Sequence, residues 1–453
     1  MGSSPSIVFP PSYPTQEDIR VRHTAMRNVD RYFVKLHEKI ALKQKPEEVV
    51  HIRDGVESHV RNLLTLAENV DPRFRVCSDG IVKIGSVYEG TKLCVLDEFN
   101  YALELAELSF HDDDIKVEDL NHPENGFDVK VFVEEKKGLN EFAESWKSMI
   151  QDQYLVGKRS TRAKKDGILD TFFKLTRKVH GHASPIETKF GILKPLGLVE
   201  LFGNHIRLKL TLTQQWEEYR ESKRFQGKTV HEVIVTLTPV IRWTHLNEFL
   251  FEDDPVNETI YNEAISADVF HLTPCESGNF RKWFPVIETR VMKSVLPKHI
   301  KAFCVVKFLF NGMDSNRKCK YFRGLRLDLV DSYALKMIFL SLVDTCPCLT
   351  YSEYELYDCV MHMLNHVYDR LYDLDTSGAC TIYRHVVIQR ETQTSCDQHL
   401  IGLHKSALTE MLKHDLKFWI GEKEKYDLSK DVFGLMTIVD RIENILQNLN
   451  PGK

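Results

Sequence analysis

The chain has 453 residues, 43% hydrophobic and 28% charged, with a formal net charge of −5. The length exceeds one ordinary domain, and the composition excludes a fibrous or largely disordered chain. The acidic balance excludes attraction to nucleic acid by the field of the whole molecule, so any such binding needs a local basic patch. No apolar run reaches the roughly 20 residues that span a bilayer, and no charged-then-apolar leader opens the chain, so a cytoplasmic setting is expected. There the ten cysteines should be reduced thiols and the acceptor pattern Asn257-Glu258-Thr259 unmodified.

Met1-Gly2-Ser3-Ser4-Pro5-Ser6 fits the N-myristoylation pattern. It would make Gly2 a weak lipid anchor, since one acyl chain binds membranes only marginally; the alternative is a plain polar terminus. Residues 1–14, with Pro10, Pro11 and Pro14 following Ile7-Val8-Phe9, read as an extended arm. A long amphipathic spine helix is predicted from Thr15, which can cap with Asp18 three residues on. Ile19, Met26, Val29, Phe33, Leu36 and Ile40 form its stripe. Pro46 interrupts it, and Val49, Ile52, Val56, Val60 and Leu63 continue a helical pattern to Asp71-Pro72.

Period-two alternation then runs from Phe74 to Lys83, turns at Gly85-Ser86 and resumes over Glu98–Leu105, giving a strand, turn, strand unit. Asp128–Val133, Ile206–Thr213 and Val233–Ile241 are further strands, and the charged stretch 139–180 is helix-compatible. From about residue 290 the pattern is mainly helical: Leu335, Ile338, Phe339 and Leu342, then Tyr357, Val360, Leu364, Val367 and Leu371, then Val432 to Leu446 before Asn450-Pro451-Gly452. The expected architecture is α+β: an arm over 1–14, spine helices and a mixed lobe with a central twisted sheet over 15–290, and a helical lobe over 291–453.

The segment Gly85-Ser86-Val87-Tyr88-Glu89-Gly90-Thr91-Lys92, followed by Leu96-Asp97-Glu98-Phe99-Asn100, resembles the signature of the cyclic GMP-AMP synthase-like receptors and the related male-abnormal-21 proteins, whose fold is a bilobal nucleotidyltransferase. A Gly-Ser turn after a strand lets the backbone approach a triphosphate. Strand alternation puts residues 98 and 100 on one face, where oxygen ligands can grip magnesium. Val233–Ile241 is similar to the family strand that carries the third carboxylate, with Thr236 at the aspartate position. Phe280-Arg281-Lys282-Trp283-Phe284 and Asp331-Ser332-Tyr333-Ala334-Leu335-Lys336 look like the segments whose arginine and tyrosine hold the nucleobase. The resemblance covers most of residues 15–449.

It implies catalytic positions Glu98, Asn100 and Thr236, of which only Glu98 is anionic and able to hold a metal, and that weakly. It implies nucleotide contacts from Gly85, Ser86, Arg281, Ser332, Tyr333 and Lys336. Magnesium or manganese with ATP or GTP would be the cofactors if the protein were active, but two-metal transfer needs several anionic oxygens. Glu104 and Glu232 lie about 13 Å along their strands from Asn100 and Thr236. Asp97 should point to the opposite face, leaving Glu89 as the local substitute. Tyr333 could stack on a purine or be a half-buried helix residue.

Lys158, Arg159, Arg162, Lys164, Lys165, Lys174, Arg177 and Lys178 face only Asp166 and Asp170 between Gly157 and Gly181. They could bind the backbone of double-stranded RNA or DNA, or form a solvated helix face. Between Arg290 and Phe310 nothing matches the zinc loop of the family's DNA-sensing member. Cys346-Pro347-Cys348 with His362 and His366 one helical turn apart could form a metal set or be core cysteines and surface histidines; the spacing matches no common zinc module, so no structural zinc is expected. Three readings follow: a catalytically impaired sensor of nucleic acid or binder of a purine nucleotide or dinucleotide in innate immunity, an active cyclic-dinucleotide synthase, or a scaffold acting through an unknown protein partner.

Overall fold

The computed structural model describes residues 30–31, 33–38, 40–42, 45–93, 96–109, 115–120, 128–134, 141–161, 163–189, 191–213, 230–244, 258–275, 277–311, 332–346, 355–360, 362–363 and 366. Gly2, the arm, the Thr15 cap, Arg162, Asn257, Asp331, Cys348 and the helix expected over Val432–Leu446 lie outside them.

Among the described residues, helix α1 (Pro46–Val70) opens on a proline, whose missing N–H is no loss in a first turn, and carries Glu47 and Glu48 at its positive end. Ile52, Val56, Val60 and Leu63 form its buried stripe, as their spacing predicts. Strands β1 (Val76–Ile84) and β2 (Glu98–Leu105) follow, then a single turn α2 (Ala106–Ser109), β3 (Ile115–Asp119) and β4 (Asp128–Val133). The stretch expected to be helix-compatible over 139–180 divides in three. It contains α3 (Glu141–Trp146), a hairpin of β5 (Ile150–Gln151) and β6 (Tyr154–Leu155), and α4 (Ile168–His180). Asp152 and Gln153 adopt positive φ values of 53° and 67° in that hairpin turn, a conformation Asp tolerates and charge patterning does not reveal.

The remaining elements are β7 (Ile186–Thr188), β8 (Gly191–Phe202), β9 (His205–Thr213), β10 (Val230–Thr244), α5 (Glu258–Ala267), β11 (Val269–Pro274), β12 (Phe280–Trp283), α6 (Pro285–Ser294), α7 (Pro297–Asn311) and α8 (Ser332–Leu342). The strands form one large sheet ordered β5-β6-β4-β12-β11-β10-β9-β8-β7, with β3 beside β4 and the β1–β2 pair joined through β10. The fold is thus mixed α+β, with a mainly antiparallel sheet and several helices.

Strand β10 is the hub. Its residues Val230–Leu237 run antiparallel to β9, Ile234–Val240 run parallel to β2, and Ile241–Thr244 pair antiparallel with β11. Alternation divides the sheet cleanly around it. Phe99, Tyr101, Ile206, Leu208, Val233, Val235 and Leu237 are buried on one face, covered by α1 and α4, which pack on each other and on β7, β8 and β10. The opposite face of β2, β10 and β9 carries Glu98, Asn100, Thr236, Thr238, Arg207 and Lys209 beside a small apolar cluster of Ile84, Ala102, Val240 and Trp283. No described helix is long and apolar enough to cross a membrane.

Candidate functional site

The expected triad positions come together. Asn100 and Thr236 are direct partners in the parallel β2–β10 pairing, with Glu98 opposite Ile234 two residues before. Partners in register share a sheet face with Cβ atoms roughly 5 Å apart, so Glu98, Asn100 and Thr236 occupy one patch. On the other side of β2, Ile84 pairs with Asn100, so the chain turns at Gly85 directly beside that side chain. Gly85 has φ 81°, and a Cβ there would lie 2.8 Å from Asn100 Nδ2. Only glycine supplies both the left-handed backbone and the clearance. Ser86, Tyr88 and Glu89 complete a compact turn, with Tyr88 N and Glu89 N both donating to Gly85 O at 3.0 Å and Thr91 N to Ser86 O at 2.8 Å.

The electrostatics of this patch are the reverse of a metal site. Lys92, its side chain 3% exposed, places Nζ 2.8 Å from Asp97 Oδ1 and 3.7 Å from Glu98 Oε2. Asp97 therefore does not point away from Glu98 as alternation suggested. It precedes the strand, its carbonyl accepting from Ile234 N at 2.7 Å, and alternation binds only residues within the ladder. Across β10, Arg207 pairs directly with Thr236 and Lys209 with Ile234. Arg207 rests over the Phe202 ring, 3.5 Å from its centroid, and its Nε is buried without a hydrogen-bond partner. Lys209 is held by Glu200 at 3.4 Å and Glu232 at 3.6 Å, and His205 Nδ1 lies 3.3 Å from Thr238 Oγ1.

None of the possible substitute carboxylates reaches the patch. Glu104 bonds to buried His271 at 2.8 Å, and Glu232 is occupied with Lys209. Glu89 is buried against Lys336, whose ammonium lies 3.0 Å from Glu89 Oε1 and 2.8 Å from Glu288 Oε2. Burial opposes that charge, yet Glu288 and Glu89 together outweigh it and raise the lysine's pKa. A two-metal centre does not fit these residues: of the three triad positions only Glu98 is a carboxylate, and the neighbouring Asp97 is taken up by the Lys92 ammonium that also faces Glu98.

The expected base-pocket residues are arranged separately. Ser332 is exposed at the first position of α8. Half-buried Tyr333 donates to Glu288 Oε1 at 2.9 Å, and Lys336 lies 5.2 Å from its ring centroid. Lys336 thus ties the Gly-Ser turn to α6 and α8. Arg281, on β12, is engaged by Asp128 Oδ1 through Nε and a terminal nitrogen, both at 2.9 Å. The hydrogen bonds of Arg281 and Tyr333 go to different carboxylates.

The basic segment lies on α4 and the loop before it. Asp170 Oδ2 accepts from Gly167 N at 3.0 Å and from Arg159 N at 2.5 Å, fastening the loop to the helix start. Gly167 touches the Gly157 backbone, where a Cβ would come within 2.5 Å of its carbonyl carbon. Arg159, Lys164, Lys165, Lys174, Arg177 and Lys178 are exposed, Lys158 half-exposed. Several are tethered: Lys158 to Gly203 O at 2.9 Å, Lys165 to Ile150 O at 2.6 Å, and Lys174 to Asp166. Arg177 and Lys178 lie in the last helical turn, which also suits the helix dipole.

Arg207, Lys209 and Lys92 escaped the sequence reading. The signal was present: cations alternate with buried aliphatics through His205-Ile206-Arg207-Leu208-Lys209, but their place beside Thr236 follows only from the strand order. No protein-family model matches the chain, and a search of curated proteins finds no significant relative.

Proposed function

We propose that this chain is a nucleotidyltransferase-like protein, similar in its two-lobed build to the cyclic GMP-AMP synthase-like receptors, that binds a purine nucleotide or dinucleotide without metal-dependent chemistry. The observation that carries this reading is the Asn100–Thr236 pairing beside the Gly85 turn: two strands distant in sequence put a neutral amide and a hydroxyl where such an enzyme needs carboxylates. Arg207, opposite Thr236, supplies the positive charge that magnesium or manganese would otherwise bring to phosphates. The exposed cations of α4 and its preceding loop support a second, nucleic-acid-facing surface for double-stranded RNA or DNA, read by backbone charge and not by sequence. Together these favour a catalytically impaired cytoplasmic sensor in innate immunity over a synthase or a ligand-free scaffold.

The test is calorimetry with ATP, GTP and cyclic dinucleotides, in chelator and in magnesium, on wild type and Arg207→Ala. Equal binding in both buffers, lost in the variant, is the expected result. Binding that requires metal, or labelled cyclic product with duplex RNA or DNA that vanishes in Glu98→Ala, would establish a synthase. No binding of any nucleotide would leave the scaffold.

A further inference from the structure

The nucleotide reading leaves unused four side chains that converge among the C-terminal helices. His299 stands in the first turn of α7, and Cys346 follows the turn that ends α8. Cys359 lies in the helical segment 356–360, and His362 is helical one turn further on. His299, Cys346 and Cys359 are buried, and one donor atom from each lies within 4.8 Å of the others. His362 lines the same cavity, with Nε2 buried and without a hydrogen-bond partner. The remaining wall is apolar, including Phe339, Leu342 and Met363.

We propose that His299, Cys346, Cys359 and His362 bind one structural zinc ion. The donor set is that of a closed tetrahedral site, two sulfurs and two imidazole nitrogens, and soft thiolates exclude magnesium and calcium. Charge supports the choice. Two thiolates and two neutral imidazoles cancel a dication, so the loaded cluster is neutral and can stay in an apolar cavity where an unpaired charge could not. Both thiol protons leave to solvent as the Cys346 and Cys359 sulfur–zinc bonds form.

Geometry is close to what zinc requires. Zinc–sulfur bonds of about 2.3 Å and zinc–nitrogen bonds of about 2.0 Å set tetrahedral donors roughly 3.3–3.8 Å apart, so His299, Cys346 and Cys359 need to draw in by about an ångström, and His362 must turn in from the wall of the same cavity. Cys359 and His362 are spaced i and i+3 and share a helix face. His299 and Cys346 come from elsewhere in the chain, which is why no sequence spacing betrays the set. Of the residues considered from sequence, Cys346 and His362 belong to it. The His366 ring is tilted against that of His362, with centroids 4.8 Å apart. The ion would staple three helical segments across their shared core.

The experiment is elemental analysis of the full-length protein expressed with zinc, with melting curves before and after chelation. One equivalent of zinc per chain and a melting temperature several degrees lower after its removal are expected. Cobalt replacement should give thiolate-to-metal charge-transfer bands, read on wild type alone should the variants fail to fold. Cys359→Ser and His362→Ala should each lower zinc content. Metal-free protein whose melting point zinc does not move, cobalt spectra without thiolate bands, zinc content unchanged in soluble Cys346→Ser and Cys359→Ser, or a Cys346–Cys359 disulfide in the isolated protein would each overturn the assignment.

Discussion

His59 sits at the centre of the α1–α4 interface, fully buried, its ring edge-on to His180 with centroids 5.6 Å apart. Neither ring nitrogen of His59 has a hydrogen-bond partner. Burial first, then the neighbouring imidazole, push its pKa down from 6.5 to about 4. As the pH falls, the unfolded chain takes up this proton before the folded one does. Stability is therefore intact above pH 6.5 and is lost as the pH falls toward 4. Over that window the linkage amounts to about 2–3 kcal/mol at pH 4.5 relative to pH 7.5. Replacing His59 by Leu should remove it. At pH 7.5 the variant should match the wild type or exceed it by about 1 kcal/mol, since a buried donor without an acceptor disappears. Trp146 reports on the same core, packed edge-on against Phe74, which stacks on Phe172 of α4. Urea unfolding followed by tryptophan fluorescence at both pH values gives the double difference, in which the remaining titrating groups cancel. A wild-type-minus-variant difference that does not change between the two pH values would refute the reasoning.

Other consequences can be measured the same way. Lys336→Met leaves Glu89 and Glu288 facing each other without a cation, and should cost about 3–5 kcal/mol in unfolding free energy. Gly85→Ala forces a side chain into φ 81° and against Asn100; a loss of about 1–3 kcal/mol, with weakened nucleotide binding, is expected by melting and calorimetry. Asn100→Asp combined with Thr236→Asp rebuilds a carboxylate trio with Glu98, and manganese should then raise the melting temperature of the double variant but not of the wild type. Reversing Lys164, Lys165, Arg177 and Lys178 to Glu should weaken duplex RNA binding and flatten its salt dependence in filter assays; an unchanged salt slope would make that surface a solvated face.

The parts of this fold legible in the sequence are those where local periodicity and burial agree. Asp128–Val133 forms a strand with the expected bounds, β9 keeps strict alternation, and α8 buries the expected stripe of Leu335, Ile338, Phe339 and Leu342. The elements that escaped are those whose identity depends on partners. β8 carries Lys194, Pro195 and Gly197 and bulges between Leu196 and Val199, so it has no clean period. The β5–β6 hairpin is two residues a side, too short to show one. The same division holds at the site. Glu98, Asn100 and the Gly85 turn lie close together in sequence and could be read as a unit. The roles of Arg207 and Lys92 depend on long-range strand order and on a side chain folding back, which no local pattern encodes.

The placement of β10 also bears on how the chain is made. The hairpins β8–β9 and β11–β12 close within a few residues of each other and can form as they emerge from the ribosome. Strand β2 can pair early with β1, but its second edge waits for Ile234–Val240. Until that segment is synthesised, Phe99, Tyr101 and Leu103 belong to an open strand edge, the kind of surface that templates pairing between nascent chains. The Asn100–Thr236 register can exist only once translation has passed Thr236.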